Sequence, residues 1–255
     1  NYQSVAQITA LSNGGFVVTW QDASHGIGGA TGDASNAAVK AQVFGADGAA
    51  VGTEILVNTA VEDDQNGAQI TALTNGGFVV TWQDKSLGIG GASGDNSVYA
   101  VKAQMFGADG TPVGAEILVN TAVDGLQWLP QITALTNGGF VVTWTDGGHG
   151  VGGAIGDNSD NAVKAQVFGA DGAPLGTEIL VNTAVDGKQW FPQTTALTNG
   201  GFVVTWEDLS LGVGGAGGDN SDSAIKAQVF GALGGASATE QTDLVLKGIG
   251  LSVSD

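Results

Sequence analysis

Gln69-Ile-Thr-Ala-Leu73-Thr-Asn-Gly-Gly77-Phe-Val-Val-Thr-Trp82 decides the fold. Two short runs of apolar and β-branched residues flank Thr74-Asn75-Gly76-Gly77, and Asn-Gly between such runs is a strong hairpin signal. Alternation puts Phe78, Val80 and Trp82 on one face of the second run and Val79 and Thr81 on the other. Both faces are apolar or β-branched, which suits a sheet stacked between neighbouring sheets.

Outward from this hairpin the pattern recurs every 62 residues. Trp20, Trp82, Trp144 and Trp206 mark the period, as do Gln7, Gln69, Gln131 and Gln193, then Lys40, Lys102, Lys164 and Lys226, and Glu54, Glu116, Glu178 and Glu240. Each unit predicts four strands, in the second copy at 69–73, 78–82, 100–106 and 116–120. A Gly-rich loop from about Asp84 to Ser97 joins the second to the third, and the turn Ala108-Asp109-Gly110 follows the third. No stretch sustains a helical period with caps. Four strands per unit with one recurrent bulky aromatic predict an all-β chain, a β-propeller of four four-stranded blades. The units run over about 1–62, 63–124, 125–186 and 187–248, with 249–255 as a tail or the start of a following module. A closed four-bladed ring is the first expectation; an open array or part of a larger β-propeller is the alternative. The last unit departs from the pattern, with Thr242-Asp243-Leu244-Val245-Leu246-Lys247 where Ile-Leu-Val-Asn-Thr is expected. Atypical terminal repeats are usual in such arrays.

The 255 residues include 44 Gly and only 4 Pro, without a three-residue Gly period, which excludes collagen. A mean hydropathy of +0.15 argues against disorder. The net charge of −18 repels phosphate, so nucleic acid is excluded as a partner and anionic membrane surfaces are disfavoured. Apolar runs are too short for a spanning helix, so no membrane insertion is expected. The chain carries no Cys, which a protein of this length does not need even outside the cell. It begins at Asn1 with no signal peptide, as a mature product or excised piece would.

The long loop is the candidate chemical site. Each copy holds two Asp 11 residues apart: Asp22 and Asp33, Asp84 and Asp95, Asp146 and Asp157, Asp208 and Asp219. Carboxylates among Gly-rich carbonyls suit Ca²⁺, and two carboxylates per site imply weak binding, roughly 10⁻⁴–10⁻³ M. The opposing reading is that Asp and Gly merely build turns, which is the expectation for Asp47, Asp109 and Asp171. Trp128 and Trp190 occur in only two copies, where Ser4 and Asn66 stand in the others. They are candidates to stack on a sugar ring or a partner's side chain, or to cover a seam between blades. His25 and His149 share one repeat position with Leu87 and Leu211, and facing units of a ring would bring the two His towards a common metal or ligand. A Gly-x-Ser-x-Gly elbow, a His-Glu-x-x-His helix and a phosphate loop are all missing. A paired-carboxylate glycosidase needs a unique pair, whereas almost every acid is copied.

The segments at 132–144, 164–172 and 178–183 (Ile-Thr-Ala-Leu-Thr-Asn-Gly-Gly-Phe-Val-Val-Thr-Trp, Lys-Ala-Gln-Val-Phe-Gly-Ala-Asp-Gly and Glu-Ile-Leu-Val-Asn-Thr) resemble repeats of large secreted bacterial adhesins of the repeats-in-toxin (RTX) type. The stretch 243–255 resembles the lead-in to a further module of such proteins. Gly28-Gly29-Ala30-Thr31-Gly32-Asp33 departs from their calcium nonapeptide by placing Asp one position late. The resemblance implies an extracellular or cell-surface, calcium-rich setting and a module that is not an enzyme. The expected function is therefore a secreted, calcium-supported binding module recognising carbohydrate or a cell-surface protein, lectin- or adhesin-like. The alternative is a structural spacer or self-assembling unit of a giant adhesin, filament or matrix protein.

Overall fold

The computed structural model of the chain describes residues 2–232 and 244–245, apart from positions 26, 28, 30, 31, 33–35, 61, 95, 96, 122–124, 150–155, 157–159, 212 and 214–221. The expected tail at 249–255 lies outside the described residues. Four separate four-stranded antiparallel sheets follow one another along the chain. Blade 1 comprises β1 (Gln3–Ala10), β2 (Phe16–Asp22), β3 (Ala38–Phe44) and β4 (Ala50–Leu56). Blade 2 comprises β5 (Gln65–Ala72), β6 (Phe78–Asp84), β7 (Ala100–Phe106) and β8 (Pro112–Leu118). Blade 3 comprises β9 (Gln127–Ala134), β10 (Phe140–Asp146), β11 (Ala162–Phe168) and β12 (Pro174–Leu180). Blade 4 comprises β13 (Gln189–Ala196), β14 (Phe202–Asp208), β15 (Ala224–Phe230) and β16 (Leu244–Val245). Each is a simple meander in chain order, as expected of propeller blades.

The hairpin that opened the reading forms as the dipeptide requires. Gly76 takes φ of 92°, its N–H donates to the Leu73 carbonyl, and the Asn75 side chain accepts the Gly77 N–H at 3.0 Å. Gly77 has a different reason: a Cβ there would collide with the carbonyl oxygen of Phe106 in β7. The Asp47, Asp109 and Asp171 turns are ordinary hairpin turns, each carboxylate accepting the N–H two residues on at 3.0 Å. The first strand starts four residues earlier than its pattern suggested, at Gln65, because a bulge interrupts the alternation. The fourth likewise starts at Pro112, across a register shift between Ala103 and Met105.

Packing between blades supplies the core. The face of blade 2 carrying Phe78, Val80 and Trp82, with Phe106 stacked on Phe78 at 5.0 Å, lies on Val17, Val39, Ala41 and Val43 of blade 1. The same seam joins blade 2 to blade 3 through Trp144, and blade 3 to blade 4 through Trp206. We call the Trp-bearing face leading and the opposite face trailing. Trp82, Trp144 and Trp206 are fully buried, in the core role expected of them. Strands β1, β5, β9 and β13 pack in succession against one another and form the inner edge of the array. Among the described residues there are three seams, and no core cluster joins blade 4 to blade 1. The four four-stranded blades expected from the sequence are present, and among the described residues they are joined by these three seams.

Candidate functional site

Antiparallel pairing sends one end of every first, second, third and fourth strand to the same end of its blade. In blade 2 that end holds Gln65, Asp84, Ala100 and Leu118. The long loops, the connections between blades, and Trp128 and Trp190 all cluster there. The opposite end carries the hairpin turns and a shallow hollow lined by Leu73, Met105, Phe106, Val113 and Ala170.

At the loop end a lysine stands at the centre of every blade. Lys102 pairs with Trp82 across β6 and β7, and its Nζ lies 2.9 Å from Asp84 and 3.3 Å from Glu116. Lys164 sits 2.8 Å from Asp146 and 3.3 Å from Glu178; Lys40 lies 3.3 Å from Asp22 and 3.2 Å from Glu54; Lys226 lies 2.8 Å from Asp208. A glutamine from the first strand donates to each aspartate: Gln3 to Asp22 at 2.9 Å, Gln65 to Asp84 and Gln127 to Asp146 at 3.1 Å, and Gln189 to Asp208 at 3.0 Å. In three blades the serine two residues after the aspartate adds to the shell: the Ser210 hydroxyl donates to Asp208 at 2.6 Å, the Ser86 hydroxyl to Asp84, and the Ser24 N–H to Asp22 at 2.6 Å, while blade 3 has Gly148 at this position. Burial opposes the charge of Asp22, but hydrogen bonds from Ser24 and Gln3 and the Lys40 ammonium outweigh it and hold its carboxyl far below the usual carboxylate range.

This shell gives Asp22, Asp84, Asp146 and Asp208 a role other than the expected one. Their charge is neutralised by a buried ammonium at 2.8 to 3.3 Å, so a Ca²⁺ there would sit against a like charge. Their partners Asp33, Asp95, Asp157 and Asp219 lie outside the described residues. Among the described residues, no group of three or more His, Asp or Glu is arranged to hold a metal ion. His25 and His149 are exposed and take φ of 54° and 50°, as Leu87 and Leu211 do at 53° and 54°. The position is a left-handed turn residue in all four copies, whatever its side chain.

The inner strands carry a feature that repeat counting missed. Each has a register shift, between Ser4 and Gln7, Asn66 and Gln69, Trp128 and Gln131, and Trp190 and Gln193. The residue after the first of each pair is left-handed: Val5 at 52°, Gly67 at 65°, Leu129 at 55° and Phe191 at 52°. Only one of the four is Gly, and Leu129 and Phe191 stand directly before Pro130 and Pro192, a position already restricted. Bulky side chains held in this region cost about 1–3 kcal/mol each, and bulges of this kind re-aim side chains at sites. The variation from Gly67 to Val5, Leu129 and Phe191 at one repeat position was the available signal. In blade 4 the bulge turns Phe191 outward beside the half-buried Trp190, with ring centroids 4.9 Å apart at 49°, and Lys188 Nζ 5.9 Å from the Trp190 ring. In blade 3 the Leu129 N–H donates to Gln83 Oε1 of blade 2 at 2.7 Å. The connections that lead into β5 and β13 add the exposed carboxylates Glu62, Asp63 and Asp186 at this end.

No family model matches the chain, and no curated protein sequence matches it. Solved structures do share its architecture. One is the GH93 alpha-L-arabinofuranosidase of Fusarium graminearum in complex with arabinobiose: 12% identity, 93% of this chain and 65% of that chain covered, TM-score 0.51. The same fungal enzyme with an iminosugar inhibitor gives 11% identity over the same shares and a TM-score of 0.52. A thermostable family-43 glycoside hydrolase gives 10% identity, 94% of this chain and 74% of that chain, TM-score 0.50. The chain thus spans 65% of the length of the fungal enzyme it matches. At such identity the likeness shows the fold: an all-β propeller architecture.

These findings correct the adhesin reading. The RTX resemblance rested on shared strand and turn segments, which any four-stranded blade with Asn-Gly hairpins needs; the solved structures named above are glycoside hydrolases. The expectations of a non-enzymatic, lectin- or adhesin-like module, or of an adhesin spacer, leaned on that resemblance and fall with it.

Proposed function

We propose that the protein is a carbohydrate-active enzyme of the glycoside-hydrolase type, working at the loop end of the inner strands. The observation that carries this reading is the bulge at Trp190 and Phe191, on a fold whose solved examples include an alpha-L-arabinofuranosidase in complex with arabinobiose. An exposed aromatic edge beside a second ring offers an apolar face to a sugar ring, and Lys188 offers a donor to its hydroxyls. Glycosidic hydrolysis needs two carboxylates with separate roles, acid and base or nucleophile. The Asp and Glu bound to the blade lysines are already committed to the scaffold. Glu62, Asp63 and Asp186, in the connections leading into β5 and β13, are among the exposed acids available for that work. Glu62, Asp124 and Asp186 share one repeat position, whereas Asp63 is an acid of one copy alone, with Gly125 and Gly187 at its position in the next two. The test is sugar release from aryl α-L-arabinofuranoside and arabino-oligosaccharides. Turnover that falls at least a hundredfold in Glu62→Gln or Asp186→Asn, with KM raised in Phe191→Ala, supports the reading. Binding without turnover by the unaltered chain, or neither, overturns it.

A further inference from the structure

We propose that the trailing face of blade 4 docks on the leading face of blade 1 of a second copy of this chain, building a fourth seam like the three inside it. The two faces are the halves that the array leaves uncovered. Val39, Val101 and Val163 are each 0% exposed in a seam, whereas Ile225 at the same position of blade 4 is 48% exposed. Ile70 and Ile132 pack into seams, whereas Ile8 of blade 1 is 66% exposed. Phe16, Val18 and Trp20 are only half-buried, while Phe78, Val80 and Trp82 and their counterparts in blade 3 are buried.

Polar groups repeat the message. The Glu116 and Glu178 side chains are 2% exposed, because Thr59 and Thr121 of the preceding blade donate both N–H and hydroxyl to them; the Glu54 side chain is 23% exposed. Glu207 occupies the position from which Gln83 accepts the Leu129 N–H across a seam, and Val5 occupies the position of Leu129. A docked copy therefore presents the Val5 N–H to the Glu207 carboxylate. The occupant is a second copy because the surface that fits the leading face of blade 1 is one this chain carries on blade 4. Such a contact is heterologous, a head-to-tail joint and not a two-fold one. The net charge of −18 on each copy opposes it, so added salt strengthens it.

Sedimentation of the 255-residue chain from micromolar to near-millimolar concentration tests the joint. The expected result is a mass that rises with concentration and with NaCl. Ile225→Asp and Ile8→Asp each weaken association by roughly tenfold or more, on the burial of one large side chain. Val113→Asp, 49% exposed on the outer strand β8, leaves it unchanged. Both interface positions are exposed in the single chain, so unchanged melting curves show that the variants fold. Mixing the two interface variants decides the geometry: the intact trailing face of the Ile8→Asp chain meets the intact leading face of the Ile225→Asp chain and restores a 1:1 complex. A monomer at every concentration, association indifferent to both substitutions, or no recovery on mixing overturns the proposal. The readout uses no enzymatic activity, so it stands or falls apart from the carbohydrate reading.

Discussion

Replacing Lys164 with Met tests what holds a blade together at its loop end. The Lys164, Asp146 and Glu178 side chains are 0%, 1% and 2% exposed, and one ammonium serves both carboxylates at 2.8 and 3.3 Å. Met fills much the same space, so little cavity is made and the loss is electrostatic. Asp146 keeps its bond from Gln127 and Glu178 keeps its two from Thr121, but two negative charges stay buried without a counter-ion. Breaking a buried pair by removing one partner costs about 3–5 kcal/mol, a large part of the roughly 5–15 kcal/mol that stabilises a domain. Lys40→Met in blade 1 is the internal comparison. There Glu54 is partly open to water, so the stranded charge is better solvated and the cost is expected at about half that of Lys164→Met. Urea unfolding followed by tryptophan fluorescence reads both, as a fall in midpoint at constant slope. A loss below about 1 kcal/mol for Lys164→Met would refute the reasoning, because it would mean that water already reaches the cluster.

Two further outcomes follow from particular side chains. Asp22 has a carboxyl depressed in the folded state, so its contribution is present above the unfolded carboxylate value near 4 and is lost as pH falls below it towards the folded value. Melting temperature between pH 5 and pH 2 should drop less steeply in Asp22→Asn than in the unaltered chain, and parallel curves would contradict the assignment. Gly77→Ala should cost roughly 1–3 kcal/mol by forcing β6 away from the Phe106 carbonyl, whereas Ala at Gly114, which has no heavy atom within 4 Å of its added Cβ, meets only the backbone strain of its φ of 71°. Equal unfolding midpoints for the unaltered chain and Gly77→Ala would refute the steric account.

The scaffold was legible because its determinants are local. Phe78 to Trp82 alternate in a way only a doubly packed strand needs, and Asn75-Gly76 forces the turn between β5 and β6. The third strand was placed at its observed limits, Ala100–Phe106, by an apolar run with one lysine in it. The first and fourth strands were cut short because the bulges at Gly67 and opposite Gln104 break the alternation that marks a strand. The lysine cluster was hidden for a different reason. Lys102, Asp84 and Glu116 recur at fixed offsets in the chain, but the offsets say nothing until β6, β7 and β8 are side by side. A lysine inside Ala-Val-Lys-Ala-Gln, copied with two acids, was the visible trace of a buried pair. Without that step the Asp at the head of each long loop looked like a free ligand.

The repeat itself explains why three seams imply the form of a fourth. Blades 2 and 3 are each pressed from both sides, by the trailing face before and the leading face after, so each of these units carries both halves of one joint. Copies that satisfy this inside the chain carry it at the ends as well: Ile8 and Trp20 present a leading face with nothing upon it, and Ile225 and Val229 a trailing one. Capping repeats of such arrays diverge to present a polar outer face. Blade 1 has not diverged in this way, since its β2 keeps Phe16, Val18 and Trp20 unchanged. Blade 4 keeps Val203 and Val229 and replaces valine with isoleucine at 225, a larger apolar group on the open side. Apolar faces of matching shape favour a partner of the same make, which is the physical basis of the proposed joint.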